Sequence, residues 1–229
     1  MAKYFTNILL TFIMLILSEN LCAQKDVTRF MGIPIDGFKP EMIQKLKSKG
    51  FAINPNSKDK DVLNGEFNGT DVNIYILTNN NKVWRIAVAD ANSTDEENIK
   101  IKFNNLIQQF INNKNYLLQP DSTIVRYTIP KDENISYESS VNKKRYQAVF
   151  YQKTAEYDSL IEEKNLLTAK EKLNDKELER LTSLIVRIYE DSIKSLEKNV
   201  WFMISKDYGK YYITIFYENL LNKANGEGL

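Results

Sequence analysis

Carboxylates and tyrosines are the side chains through which this 229-residue chain could do chemistry. It has no histidine, and its single cysteine is Cys22. Ser-His-Asp and Cys-His nucleophilic catalysis are thereby excluded, as are the usual His/Cys zinc sites. The eight glycines are scattered and build no Gly-rich phosphate loop. A carboxylate-based hydrolase acting on a glycan or envelope substrate needs two acids facing each other across a cleft, roughly 5–10 Å apart. Its candidates are Glu66, Asp71 and Asp90, but strand alternation puts them on or near a solvated face. Asn54, Asn56, Asp59 and Asp61 are oxygen donors of the kind calcium takes, yet they lack the glycine and distal glutamate of a calcium loop and read as a solvated turn. The expectation is therefore no catalytic residue, no cofactor and no metal site, and no residue that names a ligand.

Aromatic side chains are the other conspicuous group. Tyr208, Tyr211, Tyr212, Phe216 and Tyr217 crowd the last β segment. Alternation sends Tyr211, Ile213, Ile215 and Tyr217 to one face and Tyr212, Thr214 and Phe216 to the other. Either both faces are covered, or one is exposed, and exposed tyrosine is typical of binding surfaces. The net charge of +1 and the absence of a basic cluster interleaved with aromatics argue against nucleic acid. The expected partner is a protein or an envelope component.

The elements that must position these groups begin after an address. Lys3, the apolar run from Ile8 to Leu17 and Leu21-Cys22-Ala23 have the form of a signal peptide cleaved after Ala23. The run is about half of the roughly 20 residues needed to span a bilayer, so no transmembrane helix is expected in the mature chain. The expected location is periplasmic or extracellular, with a lipoprotein anchored at Cys22 as the alternative. Residues 24–229 then form one α+β domain, with possible halves 30–92 and 93–229. Once Cys22 goes with the leader or becomes a lipid site, no disulfide is available.

Residues 62–90 organise the rest. Leu63, Gly65 and Phe67, then Val72, Ile74 and Ile76, then Trp84, Ile86 and Val88 alternate about turns at Asn68-Gly69 and Asn79–Asn81, the pattern of a three-stranded antiparallel meander. Before it, Pro40 at a first helical position, Met42, Ile43 and Leu46 on one face and Gly50 beyond the last turn predict a short helix packed on the meander. Phe38 and Ile43 are spaced as a hydrophobic staple, and Phe51 is placed to fold back on the last turn. After it, Ser93-Thr94 with Glu96-Glu97 offers capping boxes, and Ile99, Phe103, Leu106 and Phe110 predict a helix over 95–113. Strands are expected at 123–129, weakly at 136–139, and at 146–152 after a turn at 142–144. A final hairpin, 200–205 and 210–217, turns at Tyr208-Gly209. Helix followed by antiparallel strands thus occurs twice, predicting two helix-plus-meander units with helices packed on antiparallel sheet.

Residues 155–198 interrupt the second unit. They hold no proline or glycine and read as an inserted helical hairpin broken near 173–175, where Asn174 and Glu177 form a capping box. Leu178, Leu181, Ile185, Ile188, Ser192 and Leu196 follow a coiled-coil spacing, and Tyr157, Leu160, Ile161 and Leu167 give the first helix a looser stripe. The hairpin is either a flap over the sheet or an arm that binds a partner.

The segments FMGIPIDG with MIQKLKSKGF, NKVWRIAVADAN, NKKRYQAVFYQ, and VWFMI with GKYYITIFYENLLNKANGEGL resemble an uncharacterised family of secreted proteins from Bacteroides-type bacteria. The likeness touches most of the chain outside the hairpin and lies in strand cores and turns, so it carries no site residue. The helix-plus-meander units are also similar to beta-lactamase-inhibitor-protein-like folds, which implies an architecture and says little about function.

Overall fold

The computed structural model describes residues 26–118 and 128–223. The expected leader with Cys22 lies outside the described residues, as does most of the strand expected at 123–129. The elements are β1 (Arg29–Phe30), β2 (Ile33–Pro34), α1 (Lys39–Lys47), β3 (Ala52–Ile53), β4 (Leu63–Phe67), β5 (Thr70–Asn79), β6 (Lys82–Asp90), α2 (Glu96–Asn112), β7 (Tyr116–Leu118), α3 (Ile135–Ser140), β8 (Gln147–Gln152), α4 (Tyr157–Thr168), α5 (Asp175–Ser195), β9 (Asn199–Asp207) and β10 (Lys210–Glu218), followed by a 3-10 turn at Leu220–Asn222. Among the described residues no helix is long and apolar enough to cross a membrane.

β3 to β10 form one antiparallel sheet ordered β3-β4-β5-β6-β10-β9-β8-β7. Each half is a helix followed by four strands running from the sheet edge to its centre, and the two halves meet where β6 pairs with β10. The α+β plan of helices on antiparallel sheet is therefore present, and the sheet is continuous. Its turns follow the sequence: Asn68-Gly69, Asn80-Asn81 and Tyr208-Gly209 all have positive φ, as two-residue hairpins with the right twist require. Asn tolerates this conformation, whereas Tyr208, at φ 45°, is a bulky residue in it and projects into solvent.

One face of the sheet holds the core. Ile74, Ile76, Ile86, Val88, Ile213, Ile215, Phe202 and Phe150 point inward by alternation and meet Met42 and Leu46 of α1 and Ile99, Phe103, Ile107 and Phe110 of α2. Phe110 stacks on Phe150 at 4.8 Å and on Phe202 at 5.4 Å between ring centroids, and Phe103 meets Phe202 edge-on at 5.1 Å. Such ring pairs add about 0.5–1.5 kcal/mol each beyond the area they bury. In the other half Phe51 folds back behind α1 as expected, its N–H donating to the Leu46 carbonyl at 3.3 Å. A Cβ on Gly65 would stand 2.6 Å from the Phe51 ring, so the glycine in β4 makes room for it.

Four local expectations are corrected. The segment at 136–139 is the helix α3, because the Asn134 side chain accepts from the Tyr137 N–H and caps it. The cap of α2 is Asp95, which accepts from the Asn98 N–H at 2.9 Å, while Thr94 is held in a backbone bridge to Tyr211. Phe38 makes no staple: it is itself the residue before the first helical turn, bridges Lys82 through its backbone and leaves its ring 53% exposed. The expected coiled-coil stripe of α5 does not face α4 as a whole. Leu181 and Ile188 are sheltered and Leu184 is buried, but Leu178, Ile185 and Leu196 stand in solvent.

Candidate functional site

Period-two alternation leaves a second sheet face, and the cross-strand register shows what stands on it. One row reads Tyr75, Ala87, Phe216, Trp201, Val149 from β5 to β8. Its neighbour reads Asn64, Asn73, Ala89, Thr214, Met203, Gln147. A row of rings thus lies beside a row rich in amides. Ala87, Ala89 and Thr214 form a buried floor between them, while Trp201, Met203, Tyr212 and Phe216 are half-buried and Tyr75 is 40% exposed. The buried residues of α1 and α2 all belong to the core of the opposite face.

On the other side of the aromatic row come Leu77, Arg85, Glu218, Asn199 and Tyr151. The register of β5 against β6 shifts between Leu77 and Thr78, which leaves Trp84 as an extra residue beside Arg85. The Arg85 guanidinium lies 4.2 Å from the Trp84 ring centroid, 5.1 Å from Phe216 and 5.8 Å from Trp201. Trp201 and Phe216 stack at 4.1 Å. Arg85 donates to the Glu218 carboxylate, which also accepts from the Asn199 side chain at 3.0 Å. Glu218 is 3% exposed, and its backbone carbonyl takes the Thr28 hydroxyl. The cation is neutralised at the edge of the ring cluster and fixes the rings around it. Arg85 Nε and Asn199 Oδ1 have no partner among the described residues.

The expected division of the last hairpin is present: Tyr211, Ile213, Ile215 and Tyr217 enter the core, and Tyr212 and Phe216 stand on the far face. The ring contacts of Phe216 are with Trp201 and Arg85. The inserted hairpin's two helices pack on each other, held at the root by Thr154 donating to Asp191 and by the Lys198–Asp26 ion pair at 2.6 Å. Alternation placed Trp84 on the face of Ile86 and Val88, and the structure corrects this: Val83 and Ile86 both enter the core, and the bulge between them turns Trp84 out beside Arg85. Arg85 and Trp201 fell within expected strands, but the strand order that brings them together was not readable.

A cleft of about 920 Å³ opens between α2, the β1–β2 hairpin and the tip of β4. Its lining includes the apolar Phe67, Phe110 and Ile215, the more open Arg29 and Glu66, and the buried Lys198. Two of its acids are tied up in ion pairs, Asp26 with Lys198 and Asp158 with Lys153. Tyr116 and Tyr217 lie at its inner wall, and burial raises both phenols above their ordinary range.

The three candidate acids are not gathered around this space. Glu66 is on its rim, Asp71 is the cross-strand neighbour of Glu66, and Asp90 points to the core side, where it pairs with Lys102 at 2.8 Å and accepts the Ile213 N–H. The Asn54 to Asp61 turn spends its oxygens internally: Asn54 accepts from the Asn56 N–H and donates to Asn73, and Asp61 pairs with Lys39. Among the described residues no group of three or more acidic or thiol side chains is placed to hold a metal ion. In comparisons with known proteins, no family model, no curated protein and no solved structure matches the chain.

Proposed function

We propose that the chain is a non-catalytic binding module of the periplasm or cell surface, recognising a protein or envelope component with the aromatic face of its sheet. The observation that carries this reading is the ring row of Tyr75, Phe216 and Trp201, joined by Trp84 and Arg85, on the side opposite α1 and α2. Rigid rings on strands offer a large contact area at low entropic cost, and the amides of Asn64, Asn73 and Gln147 beside them supply directional bonds. The buried Arg85–Glu218 pair holds the rings in place before a ligand arrives. Export rests on the leader-like segment from Lys3 to Ala23.

The chain's two tryptophans are both in this cluster, so their emission is a direct reporter. Titration with detergent-solubilised envelope proteins and, separately, with soluble envelope glycan fragments should change the emission with one of them and saturate. Binding measured by calorimetry without any change in tryptophan emission would place recognition elsewhere.

A further inference from the structure

One flank of α2 is lined with amides. At about 100° per residue, Asn98, Asn105, Gln109 and Asn113 fall within about 80° of one another, and all four line one groove. The groove is the cleft of about 920 Å³ together with a smaller one of about 390 Å³, which shares Phe67, Asn68, Leu106, Gln109 and Ile215 with it. Below the amides lies an apolar floor of Val72, Val88, Ile213, Ile215 and Leu106, all buried. From Asn98 to Asn113 the helix rises roughly 22 Å at 1.5 Å per residue. The charges along the groove are mostly spent on each other, Lys102 on Asp90, Lys198 on Asp26 and Lys153 on Asp158, which leaves Arg29 and Glu66, one of each sign. A ligand here meets no net charge.

Among the described residues the amide row has bonding capacity to spare. Asn105 makes no side-chain hydrogen bond, while Gln109 and Asn113 use only their oxygens, accepting from the Asn68 side chain at 2.7 Å and from the Asn115 N–H at 3.0 Å. The Asn68–Gln109 bond ties the β4–β5 turn to α2 where the two cavities meet, and both partners are exposed, so it exchanges readily for bonds to a ligand. The chain itself shows what such an amide holds. On the other flank of α2, Asn104 accepts from the Ile129 N–H and donates to the Ile129 carbonyl, both at 2.9 Å. At the end of the cleft, Gln152 does the same to Arg29 of β1, both at 2.7 Å. The N–H and C=O of one residue point the same way in extended chain, and an amide, with one donor side and one acceptor side, matches that pair.

We infer that the groove binds an extended peptide segment of a partner, its backbone held by Asn105 and Gln109 and its alternate side chains apolar and directed into the floor. Extended chain sends successive side chains to opposite sides, and at about 3.3 Å per residue the groove takes about six residues. It lies on the helix side of the sheet, so peptide binding here is independent of the ring face.

Fluorescein-labelled, amidated hexapeptides in two pools are the probes. One pool carries Val, Ile, Leu or Phe at positions 1, 3 and 5 with Ser, Thr or Gln between; the other has the same composition with the three apolar residues consecutive. The immobilised chain should retain members of the first pool, the best with a Kd at or below about 100 µM by anisotropy, and should bind the second at least about tenfold more weakly. Asn105→Ala/Gln109→Ala should weaken the best peptide at least about tenfold, and Gln108→Ala, outside the groove, should leave it unchanged. All three side chains are exposed, so melting should stay that of the parent. Tryptophan emission should not move, because neither Trp84 nor Trp201 lines the groove. No retained peptide, equal affinity for the two pools, or binding indifferent to the double substitution would each overturn the inference. A peptide that shifts tryptophan emission would overturn it by moving peptide binding to the ring face, and palmitate retained in place of any peptide would overturn it by assigning the groove to an acyl chain.

Discussion

Arg85→Met is the sharpest perturbation of the aromatic face. Methionine keeps an unbranched stem among Trp84, Trp201 and Phe216 but removes the one cation that, among the described residues, pairs with Glu218, whose side chain is 3% exposed against 20% for Arg85. One Asn199 amide is then the remaining side-chain donor to a buried carboxylate. Breaking a buried pair from one side costs about 3–5 kcal/mol, because the surviving charge is left without compensation. At about 2–4 °C per kcal/mol for a chain of this size, melting should fall by roughly 6–20 °C. Adding Glu218→Gln removes the charge while keeping an acceptor for Asn199, so the double variant should recover to within about 1–2 kcal/mol of the parent. Urea denaturation followed by circular dichroism measures all three. A loss below about 1 kcal/mol for Arg85→Met, or single costs that simply add in the double variant, would refute the view that this pair is buried and coupled.

Three further outcomes follow from the packing. Replacing residues 155–195 with Asn-Gly continues the β8–β9 register, in which Tyr151 faces Asn199, so the shortened chain should unfold cooperatively; aggregation on expression would show that the arm shields the sheet. Gly65→Ala should destabilise by about 1–3 kcal/mol through its clash with the buried Phe51 ring, measured by urea denaturation, with Gly65→Ala/Phe51→Leu recovering part of it. Burial and its bond to Glu133 raise the Tyr146 phenol far above 10.0. Burial alone would lift Glu133, but bonds from Lys144 and Tyr146 outweigh it and hold that carboxyl below 4.5. The Tyr146 contribution is therefore full below pH 10 and fades as pH rises, and the Glu133 contribution is full above pH 4.5 and fades as pH falls. Tyr146→Phe should flatten the loss of melting temperature above pH 10, and an unchanged alkaline slope would assign that loss to other groups.

Much of the fold was legible because its signals are local. Asn-Gly at 68–69 and alternation from Leu63 to Val88 specify a meander, and Asn174 with Glu177 marks the start of α5, where both capping bonds are made. Short polar segments were not legible. Ser136 to Ser139 carries no strong period, and a cap from Asn134 decided for helix. The α2 cap was misplaced by one residue because Ser93, Thr94 and Asp95 are all competent caps, and the choice was made by Tyr211, whose backbone holds Thr94. The stripe on α5 was visible as a spacing, but a spacing does not say which helix it faces: α4 takes Leu181, Leu184 and Ile188, leaving Ile185 and Tyr189 outside. The candidate site depended on long-range register. Tyr75 and Trp201 stand far apart in the chain, and only the β6–β10 junction puts them in one row.

The central claim is that ligand recognition belongs to the aromatic face. Capture of envelope components by the immobilised chain should therefore be compared with capture by Tyr75→Ser/Tyr212→Ser, which changes that face at accessible rings, and by Gln108→Ser, which changes the solvent side of α2. The account expects the Gln108→Ser chain to retain what the parent retains, and the double variant, equally stable to heat, to lose at least about 90% of it, the effect of removing interface rings. Equal capture by all three chains would contradict it.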